Sequence, residues 1–331
     1  MNEEVFVRYA VAKAAGLEQR TTAGQFASQR FGADSLVARI AQKEMILDSD
    51  AFAADADWRA AQRGFLSLVR SRSVIGRASG WRKAVFEVPT LRSTVAPVAG
   101  FVAEGQPIQV SKINLKPEKL PVSKIATVVI ATDAVVKIGG PDFEAALTAD
   151  LTAAIGAGEC KALLDPANAG GPGVPAAITH GVVPVASTGD PAKDLAALVG
   201  SFDGDLERAV LVTTPRVALA LHAAKFECAA ARGGDIAGIP LITDSGVPAS
   251  GGGAMMVLFD PGRILLADDG AEIDAARSAT LNVGVPPDDV EPVSLWQQGL
   301  VAFIARRRIG WLPAPGSVGY VSGIDYDGAR A

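Results

Sequence analysis

Between residues 85 and 124 apolar and polar positions alternate without building a solid apolar run, and Gly105, Pro107, Pro117 and Pro121 interrupt the alternation. That pattern predicts a long hairpin ribbon with too little apolar surface on either face to enclose a core, so it is meant to lie on something else. Residues 125–131 (IATVVIA) read instead as a buried strand. After Gly139, Gly140 and Pro141 the period changes: Phe143, Leu147, Leu151, Ile155 and Ala162 recur at steps of four or seven, the stripe of one helix ending near Asp165, before Pro166. Such a helix is roughly 35 Å long. Its mid-helix glycines, Gly156 and Gly158, cost about 1 kcal/mol each relative to alanine, which implies that another backbone passes close by.

Around this ribbon and helix the pattern is more ordinary. Residues 3–45 predict short amphipathic helices on Val5, Phe6, Tyr9, Ala12 and Ala15, on Ala27 and Phe31, and on Leu36, Ile40 and Met45, with Ser35 as a cap. They are too short to stand alone and must pack on another part of the chain or on a neighbour. Residues 58–77 carry Phe65, Leu66, Leu68 and Val69 beside Arg63, Arg70 and Arg72. Residues 181–269 read as an α/β region with one mixed sheet: helices at 194–202 and 215–225, strands at 208–214, 239–244, 254–260 and 263–269. Long strands return after Glu272, and Leu300 to Ile309 is apolar on both faces, hence covered on both sides. The run Arg306, Arg307, Arg308 ends that strand as a solvated or inter-subunit salt-bridging face, in preference to a nucleic-acid contact.

Composition narrows the function. A chain of 331 residues suggests two subdomains, and 49% hydrophobic against 20% charged residues leaves apolar surface to bury between subunits as well as within one. A net charge of -5 gives no support to a protein that reads or wraps nucleic acid. Cys160 and Cys228, placed on helices, read as reduced buried thiols, and no apolar run reaches the ~18 residues of a membrane span. Catalytic machinery is not legible. His180 and His222 have no partner at ligand spacing, and there is no GxSxG elbow, no GxxxxGK[ST] loop and no GxGxxG between a strand and a helix. The acidic pairs Asp268/Asp269 and Asp288/Asp289 read as loop residues. No catalytic, cofactor-binding or metal-binding residue is assigned.

The order of parts carries more information than any one motif. A hairpin with Ala103, Glu104 and Gly105 at its turn, a strand ending in Thr132 and Asp133, and then DFEAALTADLTAAIGAGECKALLDP resembles the major capsid proteins of tailed phages with the HK97-type fold. The resemblance implies an α+β chain with these parts: an N-terminal helical prefix (1–45), an N-arm reaching over adjacent subunits (46–84), an E-loop (85–124), a P-domain strand and spine helix (125–175), an A-domain (176–271), and P-domain return strands with the C-terminal strand (272–331). Phe101, Val102, Glu104, Ile108 and Val110 would anchor the E-loop on a neighbour, and Phe143, Leu147, Leu151 and Ile155 would seat the spine. It further implies a homo-oligomer of hexamers and pentamers forming a virion shell around double-stranded DNA, built in host cytoplasm. Scaffolding, maturation protease, portal and decoration proteins are its implied partners. The prefix can belong to a scaffolding region, which some members of the family remove by proteolysis. Gly105 stands where cross-linking relatives would need a lysine, which argues against autocatalytic cross-linking and leaves burial and interlocking to hold a shell. Two alternatives remain: an encapsulin-like compartment around an enzyme cargo, and a soluble α/β enzyme centred on residues 181–269.

Overall fold

The computed structural model of the chain describes residues 4–18, 22–46, 51, 55–93, 101–102, 104, 115–283 and 291–326. Its first part is helical: α1 (Val5–Glu18), α2 (Ala23–Phe31), α3 (Leu36–Glu44), α4 (Ala56–Arg72) and α5 (Val74–Arg77). Short strands β1 (Arg82–Lys83), β2 (Thr90–Ser93) and β3 (Leu115–Glu118) lead to β4 (Lys124–Thr132), α6 (Asp133–Ile138) and the long helix α7 (Gly140–Leu164). There follow β5 (Val185–Ala186), α8 (Pro191–Gly200), β6 (Val210–Thr213), α9 (Pro215–Ala223), β7 (Ala229–Ala230), β8 (Gly233–Ile236), β9 (Ile239–Thr243) and β10 (Ala254–Phe259). The chain closes with β11 (Ile264–Ala276), β12 (Thr280–Val283), β13 (Glu291–Ser294), β14 (Leu300–Pro313) and β15 (Val318–Ile324). The fold is α+β, and the β2–β3 hairpin, strand β4 and the long helix follow one another in the expected order.

A four-stranded sheet, ordered β1-β11-β14-β4, and a seven-stranded sheet, ordered β5-β15-β10-β6-β9-β8-β7, hold most of the strands. In the first, β11 and β14 run antiparallel from Ile264 opposite Pro313 to Ala276 opposite Ala302. Three long elements then pass through two hydrophobic clusters in turn. Leu147, Leu151 and Ile155 of α7, Val301, Phe303 and Ala305 of β14, and Ala271, Ile273 and Ala275 of β11 lie in one cluster with the N-terminal helices. Further along the same elements, Cys160, Leu163 and Leu164, Ile309 and Trp311, and Ile264 lie in the other, with strands of the seven-stranded sheet.

Helix α7 begins where the joint with α6 leaves no room for a side chain: a Cβ on Gly139 would sit 2.6 Å from the Val135 carbonyl oxygen, and Gly140 takes φ 55. Pro141 and Asp142 occupy its first turn, favourable for an element that opens without a capping side chain. Thr148 and Thr152 turn their hydroxyls back on the carbonyls of Glu144 and Thr148, which satisfies them inside the core. The expected close backbone is that of Arg72, with its carbonyl carbon 3.8 Å from a Cβ built on Gly156, whereas Gly158 faces the Ile125 side chain.

Several expectations are corrected. Residues 125–131 lie in β4, an edge strand exposed at every second position, because nothing described covers its outer face; Val128 and Ile130 point outward. Residues 56–77 do not reach away as an arm. Trp58, Ala61, Phe65, Leu66 and Val69 of α4 are buried in the chain's own first cluster. Strand β11, expected in the α/β sheet, pairs with β14, and β15, expected beside the long helix, pairs with β10 in the seven-stranded sheet. Asp268 and Asp269 are strand residues rather than loop residues, while Asp288 and Asp289 fall outside the described residues. The arginine run does not end β14, which continues to Pro313. Cys228 is exposed in a turn, unlike buried Cys160.

Leu151 is fully buried at the centre of the first cluster. Leu151→Ala is expected to lower unfolding free energy by about 2–5 kcal/mol, read as a shift of the urea midpoint at unchanged slope.

Candidate assembly surface

Among the described residues strands β2 and β3 pair only with each other, Thr90 opposite Glu118 to Ser93 opposite Leu115. Their root is fixed: Leu120, with Ala84 and Phe86, packs on Leu265, Ala267 and Leu312, and the Glu87 amide donates to the Leu120 carbonyl at 2.9 Å. Lys119 pairs with Glu87 across that root, and the Arg82 guanidinium donates to the Leu91 carbonyl at 2.7 Å. Beyond the root nothing described covers the apolar side chains. Val85, Val88, Leu91, Leu115 and Val122 are exposed, and Phe101 is exposed at 112% of its reference area.

The residues singled out in the sequence therefore divide. Phe101, Val102 and Glu104 are exposed on the ribbon segment. Ile108 and Val110 lie outside the described residues. Leu147, Leu151 and Ile155 are buried in the chain's own core, and Phe143 packs beside it with its ring 6.1 Å from that of Phe303. All four lie in the body of the chain and not on the described part of the ribbon.

A second apolar surface was missed. Strand β4 ends against β14, with Leu300 opposite Thr132 and the Asp133 amide bonded to the Gly299 carbonyl. This brings α6 beside the turn after β13. Val128, Ile130, Val135, Ile138 (84% exposed) and Trp296 (78%) are uncovered around this end of the sheet. The alternation within β4 was the available signal, and reading that run as buried concealed it.

Also missed was the charge network at the waist of the molecule. Arg307, 1% exposed, donates from Nη1 to Glu159 at 2.5 Å and from Nη2 to Asp268 at 2.8 Å, and Arg70 adds a 2.5 Å bond to Asp268. These residues come from β14, α7, β11 and α4, at the seam between the two clusters. Burial disfavours the Arg307 charge, but Glu159 and Asp268 outweigh it and hold its pKa above the ordinary value. Burial likewise pushes the Asp268 carboxyl up, and Arg307 and Arg70 overcome this and hold it below the usual carboxylate range. Glu159, the most enclosed, is pushed up by burial, and the Arg307 charge beside it works in the opposite sense. Arg308 turns outward to Glu272 at 2.6 Å. Of the triplet, Arg307 is thus buried in intrachain ion pairs and Arg308 makes a surface pair.

Among the described residues no three His, Cys, Asp or Glu side chains are grouped to hold a metal ion. His180 is exposed with Nδ1 3.0 Å from the Pro166 carbonyl, and His222 is exposed on α9. Burial pushes the Cys160 thiol far above its ordinary value, which leaves it unreactive. A cleft of 270 Å3 beside α9 and the end of β15 is lined by Thr214, Arg216, Asp325 and Tyr326. Tyr326 spends its hydroxyl on Asp194 (3.0 Å), which also accepts from Ser187 (2.5 Å) and Thr188 (2.7 Å). That carboxylate fastens the end of β15 to α8 and has no free lone pair aimed at the cleft.

The model of the family described as "Phage capsid family" matches residues 58–314. A capsid polyprotein of Pseudomonas phage PAJU2 is 28% identical over 363 residues, covering 98% of this chain; the chain spans 54% of that relative's length. Among solved structures, a chain of Mycobacterium phage Adephagia aligns with TM-score 0.47 and 17% identity over 85% of this chain and 96% of its own. The capsid of a native GTA particle aligns with TM-score 0.47 and 13% identity over 74% of this chain and 89% of its own.

Removing the waist arginine tests the network. Arg307→Ala is expected to cost about 3–5 kcal/mol, because Glu159 is left buried without its counter-charge. Asp268, with its folded pKa lowered, contributes stability that is full above its unfolded pKa of ~3.9 and is lost as pH falls through the folded value. Asp268→Asn is therefore expected to flatten the loss of stability below about pH 4 in an acid titration followed by circular dichroism.

Proposed function

The chain belongs to the phage capsid family, and from that premise we propose that it is the major head-shell subunit of a tailed phage or prophage, assembling into hexamers and pentamers around double-stranded DNA. The observation that carries this reading is the ribbon, on which Phe101 is fully exposed with no apolar seat among the described residues. The ribbon, as the E-loop, lies on an adjacent copy, with Phe101, Val102, Ile108 and Val110 inserted and Glu104 at the tip. The four-stranded sheet with α7 serves as P-domain and the seven-stranded sheet as A-domain. Rings of subunits are the natural outcome when one surface of a protomer meets a different surface of the next.

Energetics permit a shell without covalent links. At ~25 cal/mol per Å2, interfaces of a few thousand Å2 supply ample stabilisation. The subunit's role is structural rather than catalytic. The net charge of -5 keeps the inner wall from adhering to packaged DNA. Scaffolding, maturation protease, portal and decoration proteins are its partners, and the virion shell is its final location.

A charge on the ribbon separates assembly from folding. Phe101→Asp is expected to change subunit stability by no more than about 0.5 kcal/mol, as exposed substitutions do, while reducing shells in electron micrographs at least tenfold. Normal particles at normal yield would contradict the assignment. Particles of the unsubstituted chain are expected to hold nucleic acid or nothing; a copurifying enzyme would favour the compartment alternative.

A further inference from the structure

Helix α1 is buried around most of its circumference, with Arg8 and Lys13 half-buried. Phe6, Val7, Tyr9, Ala10, Val11 and Ala14 are each at most 2% exposed, and Ala12 is also fully buried. At about 100° per residue these positions occupy most of the circumference, the pattern of a core helix rather than an attached one. It touches α2, α3, α4, α6, α7 and β11. The rings of Phe6 and Tyr9 pack on Trp58 at 5.0 and 5.2 Å, and Phe6 packs on Phe65 at 5.2 Å.

The polar contacts repeat this. Glu144 on α7 has a side chain only 2% exposed, and each of its oxygens is taken from the N-terminal helices: Arg8 Nε donates to Oε2 at 2.8 Å and Arg30 Nη2 to Oε1 at 3.1 Å. Lys13 bridges Glu44 on α3 and Asp274 on β11, each at 3.0 Å. Yet the family match begins at Trp58, so α1–α3 lie outside it. Without them Phe65, Leu151 and Ile273 would lose their cover and Glu144 both its counter-charges.

We infer that α1–α3 are a permanent part of the subunit core, latched through Glu144, and that they stay in the assembled shell instead of being removed as a scaffolding segment. The retention half rests on the shell reading above; the core half does not. Hydrogen exchange on the free full-length chain reads the core half alone. Amides of residues 7–15 should exchange as slowly as those of residues 151–160 in α7, and exchange as fast as at Phe101 would overturn it. Glu144→Gln, which keeps shape and removes charge, should raise protease cleavage within residues 1–45 at least tenfold; an unchanged rate would overturn the latch. Denaturing mass spectrometry of subunits from mature particles should recover residues 5–44 with the rest of the chain. Subunits beginning after Glu44 would overturn retention, while leaving the shell reading intact.

Discussion

The ion cluster of Arg307, Glu159 and Asp268 is the interaction on which the rest of the body depends. Each member lies where a long element leaves one hydrophobic cluster and enters the other: Glu159 between Ile155 and Cys160, Arg307 between Ala305 and Ile309, Asp268 between Ile264 and Ala271. Two apolar cores sharing three elements could slide in register against one another. A guanidinium that must meet two carboxylates in fixed geometry allows one alignment. Such a buried cluster is a device for specificity more than for net stability.

With that body rigid, the surfaces it leaves uncovered acquire meaning. The ribbon is rooted by a small cluster at Leu120 and Leu265 and then carries apolar side chains with nothing described over them. The far end of the four-stranded sheet exposes Trp296, Ile138 and the outward side of β4, at the one long strand edge among the described residues. Contiguous exposed apolar surface and a bare β-edge are liabilities in a monomer and assets in a subunit. A family of shell proteins is where both belong.

Much of the fold was legible because local signals and burial agree. The stripe of α7, the Ser35 cap and the strands β6, β9 and β10 follow from pattern alone. The failures share a cause, since each depended on which face or sheet a segment would meet. Residues 125–131 are as β-branched as a central strand, yet only partners decide that they form an edge. The helix of residues 56–72 looks like a solvated arm until Phe65 and Trp58 find Phe6. Arg307 looked like a surface charge because its carboxylates lie 148 and 39 residues away. Of the candidate site, the exposed ribbon was visible in its alternation, whereas the Trp296 surface is made by three segments distant in sequence.

Where the ribbon rests once subunits meet decides whether it is an assembly element. A photo-reactive residue placed at position 101 and irradiated in assembled particles reports that directly. The expected product is a covalent pair of chains on a denaturing gel, mapped to the body of the adjoining copy. Cross-links confined to the same chain would show that the ribbon folds home, and the shell assignment would fail with it.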